Sequence, residues 1–351
     1  MIKVLIVDDS AVVRKVLSEA LSQQESIQVV GTAADPYAAR DKIAELRPDV
    51  LTLDIEMPRM DGLTFLEKLM THFPLPVIIV SSLTPKGSEL SMRALSLGAV
   101  DVVPKPGSQF SIPDVSRDLS RAIRSAALAR FPARRNSPSS LAARPGKAPI
   151  ALSTTSKLLA IGSSTGGPRA LEVVLGRLGA NAPGTVIVQH MPEGFTRAFA
   201  ERLNGLFPMQ VREAQDGETI ASGTVLIAPG RTHLFVQRSG AGYVARLRDA
   251  PPVNHHRPSV DVLFHSVAKA AGANAVGVIL TGMGRDGAEG LLAMRNAGAY
   301  TIAQDEESSV VYGMPREAAE LGAAVEIVAI EDVARCVRAH FSQPSPDSAH
   351  G

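Results

Sequence analysis

Cysteine is almost absent: the 351-residue chain has one, Cys336. A lone thiol closes no internal disulfide, and it excludes zinc sites built from four cysteines or from two cysteines with two histidines. A charge excess is missing too. Lys and Arg number 36 against 35 Asp and Glu, so there is no strong field to attract nucleic acid, and none is expected as a partner. No apolar run approaches the ~18 residues of a membrane span. The opening MIKVLIVDDS meets two acids too early for the apolar core of a signal peptide. Core material, by contrast, is ample. Hydrophobic residues are 45% of the chain and charged ones 20%, over about twice the ~150 residues of one domain. The expectation is a monomeric, cytoplasmic, two-domain protein without direct membrane insertion.

Residues 2–129 read as five strand–helix units, with strand-like runs KVLIVD, IQVVGTA, DVLTLD, PVIIVSS and VDVVPKP. Between the first two, Val12, Val13, Val16, Leu17, Ala20 and Leu21 fall on one helical face. Strands apolar on both faces and alternating with helices predict a parallel α/β sheet covered on each side. Residues 126–156 differ: four prolines, several serines, basic residues around Arg134 and Arg135, and no acid. This is the composition of a flexible linker. From 157 the alternation resumes with KLLAIG, TVIVQH, TVLIAPG, AVGVILTG and AYTIAQ. Helices are expected at about 168–179, 193–206, 259–272 and 287–297. HLFVQR and YVARLR, joined through Ser239-Gly240-Ala241-Gly242, predict a hairpin added to the sheet. The domains are therefore placed at 1–125 and 157–342, with a disordered tail at 343–351.

In a parallel α/β sheet, chemistry gathers at the carboxyl ends of the strands. In the first domain these ends deliver Asp8, Asp9, Asp54, Ser81 and Lys105. Taken singly each has a plain explanation. Asp9 or Ser10 could cap a helix, Asp54 could precede a turn at Met57-Pro58, and Lys105 could be a surface charge. Together, three carboxylates repel unless a hard cation such as Mg2+ neutralises them, and one could then attack a phosphoryl group. Asp8-Asp9, Asp54 followed by MPRMDG, Ser81 and Lys105-Pro106 resemble the response-regulator receiver family, a flavodoxin-like (βα)5 fold, over residues 1–125. The resemblance implies phosphorylation of Asp54 by a histidine kinase. Mg2+ would be held by Asp9 and Asp54, with Asp8 nearby and the Glu56 carbonyl as a further ligand. Ser81 and Lys105 would act as the switch pair. Receivers often carry an aromatic residue three positions before the lysine; here that residue is Val102, which rules out an aromatic flip as the signal.

In the second domain, Gly162-Ser163-Ser164-Thr165-Gly166 fits G-x-S-x-G, the strand-to-helix turn that exposes a serine hydroxyl. A Gly-rich packing turn or a phosphate cradle is the rival reading; a Walker A loop is excluded because no G-K-[ST] closes it. A nucleophilic serine needs a base. His190, at the end of TVIVQ, is the best placed. His255 and His256 are in reserve, while His233 opens the hairpin and His265 falls in a helix. AVGVILTG delivers Asp286, either the acid that orients the base or a helix N-cap. Gly282-x-Gly284-x-x-Gly287, with Asp305 beyond, also fits a dinucleotide fingerprint, so a receiver-regulated dinucleotide enzyme is the alternative function. Another rival takes α/β-hydrolase order, pairing Asp216 or Asp249 with His255 or His256.

IGSSTGGP, VQHMPEGFT, APG, NHHRPSVDVLF, LTGMGRDGAEG and YGMPREA together resemble the catalytic domain of the chemotaxis protein-glutamate methylesterase (CheB) family. That implies a doubly wound, mostly parallel α/β esterase domain with catalytic Ser164, His190 and Asp286, and the Met283 backbone N–H in the oxyanion hole. It implies a carboxylic-ester hydrolase acting on glutamyl methyl esters of methylated chemoreceptors, and a deamidase of specific receptor glutamines. The esterase step would need no cofactor. The kinase CheA would be the phosphodonor to Asp54, and the unphosphorylated receiver would cover the active site.

Overall fold

The computed structural model describes residues 1–107, 110–130 and 157–342. The Pro- and Ser-rich segment with Arg134 and Arg135 and the tail at 343–351 lie outside them. The chain divides into two compact units, with the division between Phe131 and Pro132.

The first unit alternates strictly. It runs β1 (Ile2–Val7), α1 (Ala11–Ser22), β2 (Ile27–Ala33), α2 (Pro36–Leu46), β3 (Val50–Leu53) and α3 (Gly62–His72). It continues with β4 (Val77–Ser81), α4 (Pro85–Leu97), β5 (Asp101–Pro104) and α5 (Ile112–Ala126). The strands form one sheet in the order β2-β1-β3-β4-β5, every pair parallel. Helices on both faces bury it, so Leu5, Ile6, Leu51, Leu53, Ile78 and Ile79 are fully covered. The helices start where short polar side chains stop the strand-to-helix turns. Ser10, Asp35, Asp61, Thr84 and Ser111 each accept an N–H of the first turn that follows.

The second unit begins with β6 (Leu158–Ser163), α6 (Gly167–Leu178), β7 (Gly184–Gln189), α7 (Phe195–Leu206), β8 (Gln210–Glu213), β9 (Thr219–Ile220) and β10 (Thr224–Ile227). Then come β11 (His233–Ser239), β12 (Gly242–Arg248), α8 (Val260–Ala271), β13 (Ala275–Ile279) and α9 (Ala288–Asn296). It ends with β14 (Tyr300–Gln304), α10 (Met314–Glu320), β15 (Glu326–Val328) and α11 (Ile330–Ser342). Seven strands make the main sheet, ordered β15-β14-β13-β6-β7-β10-β8, again all parallel. From β6 the chain first builds outward through β7, then returns to the other side of β6 with β13. That reversal opens a crevice at the carboxyl ends of β6 and β13.

The hairpin expectation needs correcting. β11 and β12 do pair antiparallel across a two-residue turn, but they join β9 in a separate three-stranded sheet. The reason is burial. Leu234, Val236, Tyr243 and Ala245 share one core cluster with Val260, Leu263, Phe264 and Val267 of α8, so the hairpin packs face-on against a helix rather than edge-on to the sheet.

Candidate active site

β6 ends at Ser163, and the chain turns at once into α6. Ser164 lies in that turn, its carbonyl accepting the Gly167 N–H at 2.7 Å. Gly166 takes φ +77° there, a left-handed conformation that glycine adopts without steric cost. Packing is tight on the far side as well. A Cβ on Gly282 would come within 2.7 Å of the Ser164 Cβ and 2.3 Å of the Met314 sulfur. The Ser164 N–H donates to the Thr281 carbonyl beyond β13 at 3.0 Å, which stitches the serine turn to the loop carrying Asp286.

His190 follows β7, beside the serine. Ser163 and Gln189 are register partners, and the His190 N–H donates to the Ser163 carbonyl at 3.0 Å. Sequence reading did not find Gln189. It is buried, and its Nε2 donates to the carbonyls of both Ser164 (2.9 Å) and His190 (3.1 Å). One amide thus holds the backbones on either side of the pair; only the pairing of β6 with β7 could have signalled it.

Asp286 completes the group. Its Oδ2 lies 2.8 Å from His190 Nε2. The carboxylate accepts further bonds from Ser259 Oγ (2.7 Å), Asn254 Nδ2 (3.1 Å), and the N–H groups of Val260 (2.7 Å) and Asp261 (3.3 Å). It does not cap its own helix: the N-cap of α9 is Gly287, and no side chain bonds there. It sits instead over the first turn of α8, where free N–H groups and the positive dipole end favour an anion. Burial alone would raise its pKa. The bond and charge of His190, with Ser259 and Asn254, outweigh that and hold the carboxyl well below the usual range. An ionised carboxylate only accepts, so His190 carries its proton on Nε2. Nδ1 is buried and has no hydrogen-bond partner among the described residues. It is the atom left to take a proton.

The other histidines are placed differently. His233 is buried, its Nδ1 accepting the Ser259 N–H and its Nε2 donating to the Pro251 carbonyl, so both nitrogens hold structure. His256 stacks on His190 with ring centroids 3.6 Å apart and planes 5° from parallel. His255 and His265 are exposed. Asp216 pairs with Arg246 and Asp249 with Arg257 at the surface. The Met283 N–H, in the loop after β13, donates to no group among the described residues. Gly282 and Gly287 have packing reasons to be glycine, against Ser164 with Met314 and against Val260. The fingerprint therefore needs no dinucleotide to explain it.

In the first unit, Asp8, Asp9 and Asp54 bring one carboxylate oxygen each within 4.8 Å of one another. Lys105 Nζ bridges Asp54 (2.8 Å) and Asp8 (3.0 Å). Burial raises the Asp54 pKa and the Asp8 charge adds to it, against the pull of Lys105. Three converging oxygens, two of them on buried residues, are a donor set that fits Mg2+. The Ser81 Oγ, also at a strand end, lies 3.4 and 3.3 Å from the Ser82 and Gly87 carbonyls. Val102 is buried in β5.

Known proteins resemble the chain along most of its length. Residues 159–337 match the family described as CheB methylesterase, and residues 4–115 the response regulator receiver domain. A protein-glutamate methylesterase/protein-glutamine glutaminase of Syntrophus aciditrophicus is 55% identical over 343 residues, 95% of this chain and 97% of its own. The protein of the same name from Salmonella typhimurium is 53% identical over 345 residues, 97% of each chain. The crystal structure of the Thermotoga maritima CheB methylesterase catalytic domain covers 52% of this chain and 96% of its own, at 38% identity and a TM-score of 0.51. The serine turn, the histidine beside it and the acid across the crevice thus lie in a matched catalytic domain behind a matched receiver, and the chain belongs to the CheB methylesterase family.

Proposed function

We propose that this protein is a phosphorylation-controlled serine esterase that removes methyl groups from glutamyl esters of chemoreceptors and deamidates receptor glutamines. One observation carries the reading: Ser164 and His190 lie at the carboxyl ends of neighbouring strands, with Asp286 at 2.8 Å from the imidazole. Ser164 Oγ attacks the ester carbonyl and its proton passes to His190 Nδ1. Asp286 holds the Nε2–H tautomer and stabilises the imidazolium. The Met283 N–H faces the oxyanion. Collapse breaks the C–O bond and Nδ1 returns the proton to methanol. A glutamine side chain would release ammonia in the same way. Water, deprotonated by Nδ1, then attacks the acyl carbon and frees glutamate and Ser164.

Asp54 is the proposed phosphoacceptor. Its oxygen attacks the phosphorus of a phosphohistidine on a partner kinase of the CheA type, the P–N bond breaks, and a P–O bond forms. Mg2+, held by Asp8, Asp9 and Asp54 with the Glu56 carbonyl, would neutralise charge on the transferring phosphoryl group. Lys105 would meet the new phosphate oxygens. No helix among the described residues is long and apolar enough to cross a membrane, in keeping with a cytoplasmic enzyme acting on receptor segments.

The test is Ser164→Ala together with a fluorophosphonate probe. The variant should fold normally, take no label, and lose on the order of 10^4- to 10^6-fold in ester hydrolysis. Retention of a tenth of the activity would end the serine mechanism.

A further inference from the structure

Residues 253–256 make a tight turn. Val253 and His256 exchange both backbone hydrogen bonds, at 3.0 and 2.9 Å, around Asn254 (φ +51°) and His255 (φ +66°). Two consecutive left-handed residues are the pattern of a type I′ hairpin turn. This turn reaches the triad twice. His256 stacks on the His190 ring, and Asn254 Nδ2 donates to Asp286 Oδ1 at 3.1 Å. The same Nδ2 donates to Asp261 Oδ2 at 2.6 Å. The other oxygen of Asp261 accepts the Gly290 N–H of α9 at 2.7 Å. Asp261 is buried, whereas Asn254 is exposed.

We propose that Asn254 is a positioning residue of the esterase site: it orients the Asp286 carboxylate toward His190, and Asp261 keeps its amide turned for that task. The inference rests on the triad reading above. Two carboxylates that only accept both face one amide, so each requires the NH2 group on that side rather than the carbonyl. Asp261 thereby selects one of the two orientations of Asn254. Asp286 Oδ1, held by Asn254 and Ser259, leaves Oδ2 in line with His190 Nε2.

The test compares variants of the full chain, scoring methanol release from a receptor carrying labelled glutamyl methyl esters. Asn254→Gly suits the left-handed backbone and deletes the amide without strain. It should lower kcat by about tenfold to a hundredfold, the scale of a charge-assisted hydrogen bond, and leave KM within about twofold. Asn254→Asp keeps the shape but sets an acceptor against two acceptors, so it should lose at least as much. Asp261→Asn should cost activity in the native background and change little in Asn254→Gly, because its effect passes through the amide. A folded Asn254→Gly with wild-type kcat, or an Asn254→Asp as active as the parent, overturns the proposal. Ser164→Ala is assayed in parallel. If it is dead while the Asn254 variants are fully active, only this inference falls; if it stays active, the triad reading falls with it.

Discussion

His190 points its Nε2 at Asp286 Oδ2, 2.8 Å away, and leaves Nδ1 without a hydrogen-bond partner among the described residues. In the proposed mechanism the base works through the ring nitrogen nearer its own backbone, and that backbone is bonded to Ser163, next to Ser164. Nδ1 must be bare to accept a proton. His190→Gln should therefore remove nearly all activity in a sample that still folds. A His190→Gln variant that stays active would transfer the role to His255 or His256.

Asp286→Asn separates charge from shape. An amide cannot enforce the Nε2–H tautomer, and a loss near 10^4-fold in kcat is expected. Stability should change with a definite sign. The folded-state pKa of Asp286 is depressed, so its contribution is in place above the ordinary carboxylate value and is lost as pH falls through the folded one. Thermal melts should show wild type ahead of Asp286→Asn at neutral pH, with the gap narrowing steadily once pH falls below the ordinary carboxylate value. A gap that widens on acidification would contradict the assignment.

Gly282→Ala places a methyl group against Ser164 and Met314. Overpacking of this kind costs about 1–3 kcal/mol, and here it presses on Ser164, the proposed nucleophile. Activity should fall by more than the melting shift explains, read as lost turnover in a sample still folded at the assay temperature.

Asp54→Asn tests the receiver. The buried Asp54 has a raised pKa, so in metal-free buffer its ionisation costs stability increasingly as pH rises through and above the ordinary carboxylate range. The variant should gain on wild type from acid toward neutral pH. Mg2+ at a hundred times its Kd stabilises a site by about 2.7 kcal/mol, and that gain should be marked in wild type and small in Asp54→Asn. A small phosphodonor should activate wild type and leave the variant at basal activity. Activation of the variant would move the phosphoacceptor elsewhere.

Strand-end positions were legible in the sequence because periodicity and glycine placement are local. Ser164, His190, Asp286, Asp54 and Lys105 could each be named from the residues around them. What was not legible depends on contacts between distant segments. Gln189 looks like one more strand residue until β6 and β7 pair. Asp286 looks like the cap of α9 until α8 brings its own N-terminus beneath it. Asn254 sat in a stretch read for its histidines and for its likeness to a family segment, not for its amide. The hairpin was visible, but not the sheet it would choose, because its partner helix follows more than ten residues later.

Ser164 and His190 leave neighbouring strands at matching heights, so their separation is inherited from the ~4.8 Å spacing of a parallel sheet rather than from any loop. Sheet spacing hardly varies, and it is shared by all seven strands at once. Such a pair cannot drift apart gradually: the backbones of Ser164 and His190 stay side by side until the whole sheet gives way.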